Sequence, residues 1–145
     1  MKKIILLLAL VVAQFANAQT KTGEYVQIGK IAPLGAFAIS IDKYPDSYRV
    51  SLKDQKFKEL EKITHFSISE KEFEDLYSLI MSGFDSLPKD ELVVELTQGT
   101  AWLRFEKNMG ITSLQIKYSA EKNYDFAAES NFLTKKQVTK LFGKK

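Results

Sequence analysis

Cysteine is absent from this chain, histidine and tryptophan occur once each, and proline occurs three times. Without cysteine there is no disulfide, no thiolate nucleophile and no lipid attachment through a cysteine. One histidine and no cysteine also rule out zinc or copper ligation of the usual kinds within a monomer. The seven glycines are scattered singly, which excludes a phosphate-cradling loop, and no Gly-x-Ser-x-Gly elbow is present. No cofactor and no metal are therefore expected. Long apolar runs are scarce as well. The longest, Ile4–Ala13, spans ten residues, short of the roughly 20 that cross a hydrocarbon core.

That run is better suited to export. Lys2 and Lys3 precede it, and Ala16-Asn17-Ala18 follows with the small-x-small pattern that a signal peptidase reads. Cleavage is expected after Ala18, leaving residues 19–145 as a single globular α+β domain. The leader resembles bacterial export signals, which implies a periplasmic or secreted product with no membrane anchor after cleavage. Removing it changes the charge argument. Of 21 basic residues two lie in the leader, so residues 19–145 carry 19 against 18 acidic. That balance gives no reason to expect a nucleic-acid partner. Stability must come from an apolar core, for which ten Phe and six Tyr supply the area.

Strand-like runs come first. Glu24–Lys30 is rich in Tyr and β-branched residues; Ala36–Lys43 and Ser47–Lys53 alternate, with turns at Pro33-Leu34-Gly35 and Tyr44-Pro45-Asp46. Asp54–Lys62 is charged and ambiguous, and Thr64–Ile68 reads as a strand. Ser69-Glu70-Lys71-Glu72 is a capping box, and Phe73, Leu76, Tyr77, Ile80 and Phe84 then form one helical stripe, with Gly83 placed to end it. Three further strands alternate apolar residues: Leu92, Val94, Leu96; Ala101, Leu103, Phe105; and Leu114, Ile116, Tyr118.

A two-residue turn at Gln98-Gly99 pairs Leu92 with Phe105, Val94 with Leu103 and Leu96 with Ala101. A turn around Met109 pairs Phe105 with Leu114 and Leu103 with Ile116. An odd offset would put one apolar set on the wrong face. Leu133-Thr134-Lys135-Lys136-Gln137 opens a short terminal helix with a second capping box. The fold expected is α+β: an antiparallel sheet of about six to seven strands, an amphipathic helix over about residues 70–83 on one face, and a short C-terminal helix sealing an edge.

The same register puts Trp102 on the reverse face, between Glu95 and Lys117, with Arg104 between Val93 and Gln115. An exposed Trp beside Arg is the pairing enriched at binding hot spots, so Trp102, Arg104, Glu95 and Lys117 form the candidate binding surface. Lys117 methylenes, or the unassigned stretch 119–132 with Tyr124, Phe126 and Phe132, could instead cover the indole.

Other residues have plainer explanations. His65 shares a face with Ser67 and Ser69 and reads as an ordinary exposed strand residue, because same-strand spacing does not build a catalytic triad. Asp42, Asp46 and Asp54 match no calcium loop and read as turn formers. Lysines 135, 136, 140, 144 and 145 read as a solvated helix face. Asp85-Ser86-Leu87 resembles a short O-glycosylation acceptor pattern, and loop chemistry explains it equally well. The function expected is a non-catalytic binding or accessory protein of the cell envelope, with a protein or another envelope component as partner. The alternative is a hydrolase of envelope or extracellular polymers working through two carboxylates such as Glu91, Glu95 or Glu106.

Overall fold

The alternating runs of the N-terminal half fold as hairpins because each has one apolar face to bury and a turn residue set between them. In the computed structural model, which describes residues 24–145, these are β1 (Val26–Ile31), β2 (Ile39–Lys43), β3 (Tyr48–Lys53) and β4 (Ile63–Ile68). They form an antiparallel sheet in that order. The export leader read over residues 1–18 lies outside the described residues. Tyr44 N–H donates to the Ser47 carbonyl at 2.8 Å to close the β2–β3 turn. Residues between β3 and β4 form an irregular loop, pinned at its base where Asp54 N–H donates to the Lys62 carbonyl at 2.8 Å. Phe57 and Leu60 stay exposed there, so the loop has no buried stripe to make a helix worthwhile.

Helix α1 (Glu70–Ser86) starts at the expected capping box. Ser69 Oγ accepts from Glu72 N–H at 3.1 Å, and Glu72 Oε2 accepts from Ser69 N–H at 2.7 Å. The helix does not end at Gly83. It continues to Ser86 and is closed by Leu87 in the left-handed region, φ 46°. Gly83 serves packing instead: a Cβ there would sit 2.2 Å from the Phe105 ring.

The chain then starts a second sheet. Strands β5 (Leu92–Leu96), β6 (Gly99–Asn108) and β7 (Ile111–Ser119) form the expected meander. The far edge of β7 takes β8 (Ala128–Glu129) at one end and β9 (Leu133–Thr134) at the other. The single sheet of six to seven strands is thus corrected to two antiparallel sheets of four and five. Both turn apolar faces to one shared core, with α1 between them. Phe73 of α1 stacks on Tyr48 of the first sheet, and Phe84 meets Phe105 of the second edge-on. Phe66 and Tyr118 stack directly across the seam, centroids 3.8 Å apart.

The register of the meander is partly as read. Phe105 pairs with Leu114 and Leu103 with Ile116. At the first hairpin Leu92 pairs with Leu103, Val94 with Ala101 and Leu96 with Gly99, so the turn is Thr97-Gln98. The slip is two residues, which leaves every side chain on its expected face. Tertiary contacts set it. Glu72 of α1 accepts from Thr97 Oγ1 at 2.8 Å, Gln98 Oε1 accepts from Ser67 N–H at 3.3 Å, and the Gln98 carbonyl accepts from the Tyr118 hydroxyl.

Helix α2 (Lys135–Leu141) caps itself through Thr134 and Gln137 and buries Val138 and Leu141. It lies against β1, β2, β7 and β9, closing the side of the core where β1 would otherwise be a bare edge. The register of β1 on β2 shifts between Gln27 and Gly29, beside α2. Glycine is required there, because a Cβ on Gly29 would stand 2.3 Å from the Leu141 carbonyl oxygen. No helix among the described residues is long and apolar enough to cross a membrane.

Candidate functional site

The outer face of the second sheet carries all four candidate residues, because parity survives the two-residue slip. Their neighbours differ from the expected ones. Trp102 lies between Val93 and Lys117, not Glu95 and Lys117. Arg104 faces Gln115 on β7, lies beyond the end of β5 on its other side, and pairs with Glu106. Glu95 sits opposite Thr100, accepts from its hydroxyl at 3.2 Å, and pairs with Lys122 at 3.2 Å. Trp102 and Lys117 are therefore brought together, while Arg104 and Glu95 flank them on opposite sides.

The indole is not exposed. Trp102 retains 8% of its surface and Lys117 5%. The stretch after β7 folds back over this face and forms a short 3-10 turn at Tyr124–Phe126. Tyr124 meets Trp102 edge-on at 5.3 Å, and its ring lies 4.5 Å from the Lys117 ammonium. Glu91 completes the cover: its Oε1 accepts from Lys117 Nζ at 2.8 Å and from the Tyr124 hydroxyl at 2.9 Å. Burial pulls the Lys117 ammonium toward neutrality, but hydrogen bonds to Glu91 and Tyr124 and the Glu91 charge outweigh it. Its pKa rises above the ordinary 10.5. Lys117 is thus a fixed cation under a thin cover of one ring and one carboxylate. Val93, Glu95 and Arg104 stay exposed on this face.

A second site arises at the seam of the two sheets. The β3–β4 loop and the stretch after β7 wall a cleft of about 350 Å³, lined by Lys62, Thr64, His65, Glu121, Phe126 and Ala128, with Asp54 in its wall. Asp54 is fully buried. Its Oδ1 accepts from Lys56 N–H at 3.1 Å and Glu129 N–H at 3.2 Å, while Gln55 N–H donates to the Glu129 carbonyl at 2.8 Å. That cluster ties the first sheet to β8 of the second. His65 is exposed, as expected, and its Nδ1 shares a hydrogen bond with Ser51 Oγ at 2.7 Å. Ser51 is only 6% exposed and sits mid-strand. The bond orients the imidazole and leaves Nε2 for a ligand. Phe126, 75% exposed, Leu60 and Phe57 give the surrounding loops apolar groups in water.

Among the described residues, no three His, Cys, Asp or Glu side chains are grouped to hold a metal. Asp42, Asp46 and Asp54 do not converge: Asp42 lies in β2 and Asp46 in the β2–β3 turn. The seam cleft was invisible in sequence order because its two walls come from opposite halves of the chain. The sequence offers Tyr124 only as one possible cover of Trp102, and its link to Glu91 has no sequence signal. Compared with protein-family models, curated proteins and solved structures, the chain matches none.

Proposed function

We propose that this chain is an exported, non-catalytic binding or accessory domain of the cell envelope, taking its ligand at the seam cleft. The observation that carries this reading is the cleft's construction. Two irregular loops hold exposed aromatic and polar groups over a rigid junction of sheets, the usual way a fold presents a binding site. Phe126 offers a ring face, while Thr64, His65 Nε2 and Lys62 offer hydrogen bonds, a combination suited to an extended glycan or peptide segment. The carboxylates of the outer sheet face are engaged: Glu91 by Lys117, Glu95 by Lys122 and Glu106 by Arg104. This favours binding over hydrolysis there.

The hydrolase reading retains one supporting observation, the presence of both Asp54 and Glu121 around the cleft. Asp54, however, is committed to two backbone amides. The sole imidazole provides the test. Titrating the protein with glycan and peptide panels should shift the His65 ring resonances in NMR spectra. Phe126→Ala should remove the response while leaving the unfolding midpoint unchanged. Unmoved His65 resonances across the panels would reject the cleft as the binding site. Turnover of a panel member, lost in Glu121→Gln, would establish the hydrolase instead.

A further inference from the structure

The near-neutral balance of residues 19–145 conceals a strong asymmetry. Two adjoining clefts run along α2. One, of about 310 Å³, is walled by Lys30 and Pro33 on one side and by Lys136, Gln137 and Lys140 on the other. The second shares Lys136 and Lys140 and adds Lys135, Lys144 and Lys145. Among the described residues, no acidic one lines either cleft. These six lysines leave 13 basic against 18 acidic residues over the remainder of 19–145, so one pole is positive and the rest is negative. Lys135 and Lys144 are paired, with Asp85 and Glu74. Lys30, Lys136 and Lys140 have no ion-pair partner among the described residues.

Next to Pro33 of the first cleft is an apolar side chain that no described residue covers. Leu34 is wholly exposed, at 107%. Its backbone lies in the left-handed region, φ 52° and ψ 30°, between Pro33 and Gly35. A leucine there carries backbone strain that glycine or asparagine would largely avoid. It also keeps a large apolar group in water. A conformation this unfavourable points to a role for the projecting side chain.

We propose that this pole docks on an anionic phospholipid bilayer, with Leu34 entering the interface and Lys30, Lys136 and Lys140 contacting headgroup phosphates. Charge and apolar insertion together make the paired signal that stable peripheral attachment requires. A linear polyanion would satisfy the lysines and leave Leu34 unused, so the protruding leucine selects the bilayer.

Co-sedimentation of the purified protein with vesicles tests this. Binding is expected to vesicles of equal phosphatidylcholine and phosphatidylglycerol, to weaken with salt, and to be absent on phosphatidylcholine alone. Each lysine is worth about fivefold in affinity, so Lys136→Gln with Lys140→Gln should weaken binding by about 25-fold. Leu34→Ser should weaken it by about tenfold or more. All three residues are surface-exposed or partly so, and unchanged Trp102 emission will verify that the variants are folded. Equal binding to both vesicle types would overturn the proposal. So would Leu34→Ser binding as tightly as the parent, with polyphosphate displacing both, which would make the pole a polyanion site.

Discussion

Replacing Tyr124 by alanine should uncover Trp102 without unfolding the protein. The Tyr124 ring meets Trp102 edge-on at 5.3 Å and lies 4.5 Å from the Lys117 ammonium. The aromatic pair is worth about 0.5–1.5 kcal/mol. The cation–π contact adds about 1 kcal/mol at a largely desolvated ammonium. Tyr124 itself is 44% exposed, so only about half of its transfer free energy is at stake, roughly 1 kcal/mol. Together these give a loss of about 2.5–3.5 kcal/mol, well inside the roughly 5–15 kcal/mol of an ordinary domain. With an unfolding entropy of about 2.1 cal/mol/K per residue over about 127 residues, Tm should fall by about 9–13 °C.

The readout is unusually clean because one tryptophan reports for the whole chain. Trp102 emission should move to longer wavelength and become more accessible to acrylamide, while far-ultraviolet circular dichroism stays unchanged. Tyr124→Phe keeps the ring and loses only the hydroxyl's bonds to Lys117 and Glu91, so it should cost less than Tyr124→Ala and leave the emission in place. If Tyr124→Ala left both emission and quenching untouched, this stretch would not be what covers the indole.

Two further outcomes follow from residues away from that face. Asp54→Ala leaves the Lys56 and Glu129 amides without their carboxylate and should lower stability by about 2–3 kcal/mol, read as a reduced urea midpoint. Asp54→Asn keeps an acceptor and should cost clearly less; equal losses for the two would refute the brace. Glu72 is pushed up by burial but held lower still by the Ser69 and Thr97 amides and hydroxyls, ending below its ordinary 4.5. Its contribution is therefore fully present above about pH 4.5 and is lost as pH falls through the depressed value. The thermal midpoint of Glu72→Gln should accordingly depend less on pH in that acid range, and parallel profiles would remove Glu72 from the account.

Much of the local structure was readable because it depends on near neighbours. Both capping boxes appear as expected, since Ser69 with Glu72 and Thr134 with Gln137 act within one helical turn. The apolar stripe of α1 buries Phe73, Leu76, Ile80 and Phe84 as its spacing requires. Where reading failed, a distant contact had the deciding role. Gly83 resembles a helix terminator until Phe105 is brought against it. The Thr97-Gln98 turn wins over Gln98-Gly99 because Glu72, Ser67 and Tyr118 grip it from three other elements. Asp54, a turn former by composition, becomes the most buried carboxylate in the contact between sheets.

By itself, then, the sequence determined the α+β class, most element positions, and the parity that sends Leu103 inward and Trp102 outward. All of these follow from periods of two and of three to four residues along a single stretch of chain. The division of the strands into two sheets, the fold of Tyr124 back over Trp102, and the meeting of Lys30 and Pro33 with the lysines of α2 arise only in three dimensions. Those outcomes come from closing loops of tens of residues around a shared core, and which surfaces then face one another leaves no periodic trace in the order of residues.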